Sequence, residues 1–430
     1  MKILVVSNLY PPDVCGGYEL GCQQAVEALR ARGHEVLVLT TAGRLPVASE
    51  PQVRRSLKLA DLWDAYSLEK SVPPALRLQE TEALQISAFN VRALTHVLED
   101  FRPDVAYLWM LVGVGGLGLI SCLTHLGVPW VWHLMDEVPS KLCTTFYQVR
   151  PELVREFSRQ FRGSFLACSR QLLDEIASRG FTLGDEVEVI PNWLSGSPPP
   201  LRSRFRQPGE PLKIVTAAAA IDRTYDKGID LLIRAGGHLR ESGHSGFSID
   251  IYGRVADPSF ANLIRKQGFS TTVRLRGSVP RAELLACYGE YDVFAFPGRV
   301  DEPNAFAPLE AMPSGCVPLI SRQGGNSEWL IHGVDCLKVP RTAKGFAGAL
   351  ERVIVGEVSL EALARRGAAT VRREFQLESL LPRIESALLR ASRRSREGAG
   401  TADEAYRLAL LAEKLSRIFV QAPYLESRTA

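Results

Sequence analysis

The sequence predicts an α/β protein built from two doubly wound parallel-sheet domains, and three observations carry that prediction. Short apolar runs alternate with helical periods from the first residues onward; a Ser-, Pro- and Arg-rich segment breaks the alternation near the middle; the same alternation then restarts. At 430 residues the chain is too long for one hydrophobic core and fits two domains of roughly 200 residues each.

Met1-Lys-Ile-Leu-Val-Val-Ser-Asn enters a buried strand at once, over residues 2–7, and its apolar run reaches Pro11-Pro12 too soon for a signal peptide. A cytoplasmic protein is therefore expected. An amphipathic period over 18–32 closes at Gly33, and a second strand covers 35–41, which makes one right-handed βαβ unit. Residues 44–100 read as mixed and mostly helical, with Phe89 to Leu98 covering the sheet. Further strands are expected at 104–109, 128–133, 164–168 and 187–190.

From Val105 to Leu134 there is no Asp, Glu, Lys or Arg, a span long enough for a bilayer. Gly113, Gly115, Gly116, Gly118, Gly127 and Pro129 punctuate it as strand, loop, helix and strand instead. Peripheral attachment at the inner face of a membrane stays open. Ser195 to Pro211, with Pro198-Pro199-Pro200, reads as a linker. Beyond it come a strand at 212–217, a helix at 228–242, strands at 247–252, 272–276, 292–296 and 316–320, and an amphipathic helix at 402–419. The expected domains are thus 1–195, a linker at 196–211, 212–385, and a helical tail at 386–430 that closes the second domain or returns to the first.

Composition removes several function classes. With 51 basic and 48 acidic side chains the net charge is +3, which gives no electrostatic basis for a nucleic-acid partner. Arg390, Arg393, Arg394 and Arg396 read as a solvated helix face. The 8 cysteines show neither a C-x-x-C pair nor zinc-finger spacing, so no disulfide framework or structural metal is expected.

The chemistry concentrates in Asp301-Glu-Pro-Asn-Ala-Phe-Ala-Pro-Leu-Glu310, a Glu-x7-Glu pair after the apolar strand Val293-Phe-Ala-Phe. With Glu310 in the first turns of a helix and Glu302 in the preceding loop, both carboxylates face one ligand. Backbone N–H groups between them suit a phosphate, while carboxylates accept hydrogen bonds from hydroxyls. A nucleotide sugar offers both. The pair is equally compatible with a solvated Glu302 and a Glu310 favoured by the helix dipole.

With these residues in place, the chain resembles the family 4 retaining glycosyltransferases, whose GT-B architecture sets two Rossmann-like domains facing across a cleft. Pro11-Pro12 with Gly16-Gly17, Arg32-Gly-His-Glu-Val, Val131-Trp-His133, Ile190-Pro-Asn192, Lys227-Gly228-Ile-Asp-Leu-Leu-Ile, Glu302 to Glu310, and Gly324-Gly325-Asn-Ser-Glu328 with His332-Gly333 are similar to that family's motifs, in its order. The resemblance runs over most of residues 1–340. It implies an N-terminal acceptor-binding domain and a C-terminal nucleotide-sugar domain, with transfer of a hexose to an acceptor hydroxyl and retention of the anomeric configuration. The setting would be bacterial glycan or natural-product glycoside assembly.

The roles it implies are specific. Lys227 and Arg223 bind the donor diphosphate, and Gly16 and Gly17 let backbone approach it. Glu310 holds the ribose hydroxyls, Glu302 faces the transferred sugar, Asn304, Ala305 and Phe306 offer N–H groups, and Val279 touches the base. His133 meets a sugar hydroxyl through its imidazole or its carbonyl, with Asp136 orienting it; on its position alone it reads as a packed core residue. No metal and no cofactor are expected, since the chain has no Asp-x-Asp and the cations stand in for one. Departures from the family include Ala217-Ala-Ala-Ala-Ile-Asp222-Arg223 where a Gly-Arg turn is usual, and Asn304-Ala305 where a Phe-Gly is. Trp63, Tyr66 and Phe146 would allow an apolar acceptor, whose identity the sequence does not encode. Three alternatives remain: another GT-B enzyme on nucleotide sugars, such as a phosphorylase or epimerase; an NAD-dependent oxidoreductase using Gly113, Gly115 and Gly118, which spell G-x-G-x-x-G; and a catalytically silent sugar-binding or scaffold protein.

Overall fold

The computed structural model describes residues 1–42, 50–59, 85–139, 151–184, 186–221, 227–255, 257–269, 271–299, 301–394 and 400–426. The chain divides into two compact units: Met1–Ala167 with Leu172–Ile190 and Leu381–Ala430, and Cys168–Gln171 with Pro191–Leu380. Arg223, Trp63, Tyr66, Phe146 and Arg396 lie outside the described residues.

In the first unit the strands are β1 (Lys2–Val6), β2 (Glu35–Thr41), β3 (Val53–Leu57), β4 (Val105–Leu108), β5 (Trp130–Leu134), β6 (Ser164–Ala167) and β7 (Val187–Val189). They pair in the order β3-β2-β1-β4-β5-β6-β7, all parallel. The helices are α1 (Gly17–Ala31), α2 (Ala88–Phe101), α3 (Gly116–His125), α4 (Pro151–Ser158) and α5 (Arg170–Ser178). β1 and β4 are apolar without alternation because helices cover both faces of a parallel sheet; Ile3 to Val6 and Val105 to Leu108 are wholly buried. Each aliphatic side chain so buried stabilises the fold by about 1.5–3 kcal/mol.

Two expectations for residues 44–100 need correction. Val53–Leu57 is an edge strand, not helix: Val53 and Leu57 are buried while Arg54 is exposed, bonding Asp100 at 2.8 Å, and Arg55 reaches the Tyr10 carbonyl at 3.2 Å. Its two arginines hid the apolar pattern that marks the other strands. On α2, capped by the Ser87 hydroxyl, the sheet-facing side chains are Val91, Leu94, Val97 and Leu98. Phe89 instead points to solvent, with the Lys58 ammonium 4.0 Å from its ring centre.

The uncharged run from Val105 to Leu134 folds as β4, α3 and β5. Among the described residues no helix is long and apolar enough to cross a membrane.

The second unit repeats the plan with β8 (Leu212–Ile221), β9 (Phe247–Val255), β10 (Val273–Gly277), β11 (Val293–Phe296), β12 (Val317–Ser321) and β13 (Leu337–Val339), parallel in the order β10-β9-β8-β11-β12-β13. Its helices are α6 (Ile229–Glu241), α7 (Ser259–Lys266), α8 (Arg281–Cys287), α9 (Phe306–Ala311), α10 (Asn326–Trp329), α11 (Ala343–Ile354) and α12 (Leu360–Glu374). Segment 196–211, expected as a linker, is packed onto this unit: Phe205 is buried in its core, and Arg202 bonds the Tyr291 carbonyl at 2.9 Å and Asp292 at 3.2 Å.

Strand order reverses beside β1 in one unit and beside β8 in the other. Open α/β sheets bind ligands beyond the carboxyl ends of the strands at such reversals. The loops that leave β1, β8 and β11 are therefore the places to look, and they hold Gly16, Lys227 and Glu302.

The last helices, α13 (Leu377–Ser392) and α14 (Ala402–Glu426), carry residues 381–430 back to the first unit. Glu385 on α13 bonds His34 at 2.9 Å and Arg32 at 3.0 Å. Arg390 and Arg394, expected to be solvated, pair with Glu188 at 2.9 Å and Glu186 at 2.6 Å beside the edge strand β7. On α14, Glu413 accepts the Ala88 N–H at 2.8 Å and so caps α2.

Candidate functional site

In the first unit the candidate residues surround the start of α1 and the end of β5. Gly16 is the N-cap of α1, and its N–H donates to Glu19 Oε2 at 2.8 Å, as does that of Cys15 at 3.2 Å. Burial pushes the Glu19 carboxyl up from its ordinary range, against the opposing pull of these N–H bonds. Gly17 opens the helix. A Cβ on Gly16 would meet nothing within 4 Å, and its φ of −171° is ordinary extended backbone. Among the described residues, no protein contact demands glycine there.

His133, on β5, is wholly buried. Its Nδ1 shares a 2.7 Å hydrogen bond with the Tyr107 hydroxyl, and its ring stacks on Trp109 with centroids 4.5 Å apart. Desolvation pushes its pKa down to about 3, so it is neutral throughout the physiological range. The Tyr18 hydroxyl links the strand end to α1, donating to the His133 carbonyl at 3.4 Å and accepting the Met135 N–H at 2.6 Å. The imidazole is packed, as its position alone suggested, while its carbonyl lies at the strand end. Tyr107 orients its Nδ1, while Asp136 accepts the Val138 N–H at 3.0 Å.

The second unit gathers its residues more tightly. Lys227 Nζ forms an ion pair with Glu302 Oε1, both side chains largely covered. Gly228, the N-cap of α6, has φ +65°, and a Cβ there would sit 2.2 Å from the Pro297 carbonyl oxygen; only glycine lets the loop after β11 lie on the loop after β8. The acidic loop is held from its other side by Gly324 and Gly325. Gly325 N–H donates to the Glu302 carbonyl at 2.8 Å, and a Cβ on Gly325 would fall 1.3 Å from the Pro303 oxygen.

Polar side chains complete the clamp. Asn326 accepts the Ala305 N–H at 2.8 Å and donates to the Ala305 carbonyl at 2.9 Å. Asn304 accepts the Asn192 N–H at 2.8 Å and takes the Asn192 amide on its own carbonyl at 2.5 Å. Arg341 pairs with Asp301 and reaches the Arg299 carbonyl at 2.5 Å, and Arg299 bonds Asp230 of α6 at 2.5 Å. The expectation that residues 304–306 all present N–H groups to a ligand is narrowed, because the Ala305 N–H is engaged by Asn326. Phe306 begins α9. Glu310, four residues on, is bonded through Oε1 by Arg281 Nε at 3.1 Å and Nη2 at 2.5 Å. Val279 lies half-buried two residues before Arg281, in the loop from β10 to α8.

Sequence reading missed Arg281, Arg299 and Arg341. Each contacts a partner at least 29 residues away, so no local spacing marks it.

Gly113, Gly115 and Gly118 do not form a nucleotide loop. Gly115 has φ +72°, and a Cβ on it would sit 2.3 Å from the Ser87 nitrogen; one on Gly118 would press on Ile86 at 3.2 Å. The start of α3 is packed against residues 86 and 87, where a pyrophosphate would have to lie. Among the described residues no three His, Cys, Asp or Glu side chains converge as metal ligands.

Two family models match, one described as a glycosyl transferase 4-like domain over residues 16–193 and one as glycosyl transferases group 1 over residues 203–370. A glycogen synthase of Mycobacterium tuberculosis is 26% identical over 92% of this chain and 96% of its own length. Among solved structures, a sucrose-phosphate synthase from Thermosynechococcus elongatus superposes with a TM-score of 0.68 at 19% identity, covering 90% of this chain and 98% of that one. Anabaena HepE in complex with UDP-glucose gives 0.61 at 16% identity, covering 91% and 100%. Both share the GT-B fold with this chain.

The burial of His133 generates a pH prediction. Its folded pKa of about 3 lies below the unfolded value near 6.5, so the unfolded chain binds a proton that the folded chain refuses, and stability falls as pH drops below about 6.5. Denaturant unfolding of the first unit between pH 6 and pH 4.5 should show wild type losing about 1.4 kcal/mol per pH unit more than His133→Gln. Parallel slopes would show an imidazole that takes up its proton in the folded state.

Proposed function

The chain belongs to the group 1 glycosyltransferases, and from that premise we propose that it moves a hexose from a nucleoside-diphosphate donor to an acceptor hydroxyl with retention, without a metal ion. One observation carries the reading: a lysine just before α6 pairs with a carboxylate in the loop after β11, that loop runs into α9 with its second carboxylate, and β8 and β11 flank the second unit's strand-order reversal. That set matches a diphosphate flanked by two hydroxyl-bearing sugars. The solved HepE complexes contain UDP, glucose and UDP-glucose, which supports a nucleotide-sugar donor for the shared fold.

In this reading Lys227 leaves Glu302 for the diphosphate, and Glu302 turns to the hydroxyls of the transferred sugar. Glu310 holds the ribose, Val279 lies against the base, and the Phe306 N–H faces phosphate. Arg223 adds a second cation, while Asn304 and Ala305 hold the loop in shape. Gly16 and Gly17 admit the diphosphate or sugar. His133, neutral and packed, acts as a positioning residue at the strand end beside the sugar.

The acceptor oxygen attacks the anomeric carbon on the face the diphosphate is leaving. The bond from that carbon to the phosphate oxygen breaks, and the acceptor's proton passes to the departing phosphate oxygen. Charge growing on that group is stabilised by Lys227 and by backbone N–H groups already in place. A double displacement would need a carboxylate nucleophile at the reacting carbon; Glu302 is committed here to the donor sugar's hydroxyls. The acceptor could be a glycan, a lipid-linked sugar or a small natural product.

Removing Lys227 truncates a largely desolvated charge contact, a change that costs about 2–5 kcal/mol. Lys227→Ala should therefore lower kcat/KM at least about tenfold in a donor-turnover assay; near-normal turnover would take Lys227 out of the site. Because the diphosphate charge is met by side-chain cations, turnover in excess EDTA should equal that in its absence. Strict dependence on an added divalent ion would contradict the mechanism.

A further inference from the structure

Arg281 holds one oxygen of Glu310 with two nitrogens and does nothing to the other: Nε and Nη2 both bond Oε1, at 3.1 Å and 2.5 Å. The Glu310 side chain is 11% exposed and that of Arg281 is 50% exposed. The carboxylate therefore sits in a largely enclosed place, while the guanidinium approaches it from the solvent side. The buried Tyr288 hydroxyl also feels this carboxylate: it is pushed up by burial and, next, by the Glu310 charge, so it stays neutral. Among the described residues, the cation paired with Glu310 is Arg281.

A carboxylate on a freely rotating side chain must lose that freedom when it grips two neighbouring hydroxyls. One already held through a single oxygen by two guanidinium nitrogens has lost part of it in advance, with the other oxygen left to accept from the ligand. Arg281 also begins α8, two residues after Val279, so the same contact ties the loop from β10 to helix α9. We infer that Arg281 is a positioning residue for the donor's ribose: it orients Glu310 through Oε1, leaves Oε2 for the ribose hydroxyls, and sets the spacing between the ribose grip and the base loop. This deepens the proposed function and rests on its assignment of Glu310 to the ribose.

The test uses the full chain and isothermal calorimetry with UDP against 2′-deoxy-UDP and ADP against 2′-deoxy-ADP. In wild type the ribonucleotide that binds should be preferred over its deoxy partner by about tenfold, as expected for a hydrogen bond to a charged group. Arg281→Ala should weaken the ribonucleotide by about tenfold and leave the deoxynucleotide nearly unchanged, so that the preference falls below about threefold. Arg281→Lys should recover part of it, and the donor KM should rise in Arg281→Ala with kcat within about twofold. An equal loss for both nucleotides, with the wild-type preference preserved in the variant, would overturn the inference and leave the ribose assignment standing. Absence of any 2′-hydroxyl preference in wild type would overturn the ribose assignment, and this inference with it.

Discussion

The acidic loop can exist only because its neighbours lack side chains. Gly325 approaches Pro303 so closely that a Cβ would lie 1.3 Å from its carbonyl oxygen, and Gly228 lies 2.2 Å by the same measure from that of Pro297. No rotamer change relieves a clash with backbone, so alanine at either position has to move the loop. The loop in turn carries Glu302 to Lys227 and starts the helix that carries Glu310. Backbone contact thus fixes Lys227 against a loop and helix 75 residues on that carry Glu302 and Glu310.

Those charges are arranged as cation and carboxylate pairs, Lys227 with Glu302 and Arg281 with Glu310. Partly desolvated ions are costly unless matched, so each pair keeps its members tolerable while no ligand is present. The two differ in what they offer a ligand. Lys227 spends its ammonium on Glu302, from which, in the proposed function, a diphosphate has to draw it. Arg281 spends nothing that a ribose needs, since hydroxyls ask for the carboxylate and not for the guanidinium. The outer arginines, Arg299 and Arg341, bind the loop's backbone and flanking acids and shape it at a distance.

Much of this was legible in the sequence where physics acts locally. Uninterrupted apolar runs marked β1, β4, β5, β11 and β12, since burial on both faces leaves no polar side, and helix periods marked α1 and α6. β3 was missed because an edge strand carries arginines, and the three-residue β13 was missed as well. Glu302, Glu310 and Lys227 stood out through a motif. Arg281 did not, since its partner lies 29 residues on. The Gly113-x-Gly-x-x-Gly118 string shows the reverse failure: its spelling suggested a nucleotide loop, and its space is filled by residues 86 and 87. His133 was read from family likeness as a sugar contact through its imidazole or its carbonyl and from its position as a packed residue; the buried ring agrees with the second, which burial acting locally made legible.

The central claim is that the segment from the loop after β11 into α9 binds a nucleoside diphosphate, with Glu310 on α9 holding its ribose. Thermal unfolding of wild type and Glu310→Ala with UDP, GDP, ADP, dTDP and NAD(H) tests it most directly, because a ligand at 100 times its Kd adds about 2.7 kcal/mol of stability. The account predicts a raised Tm with one nucleoside diphosphate in wild type and none in the variant. A rise with NAD(H) alone, or one that survives unchanged in Glu310→Ala, would contradict it.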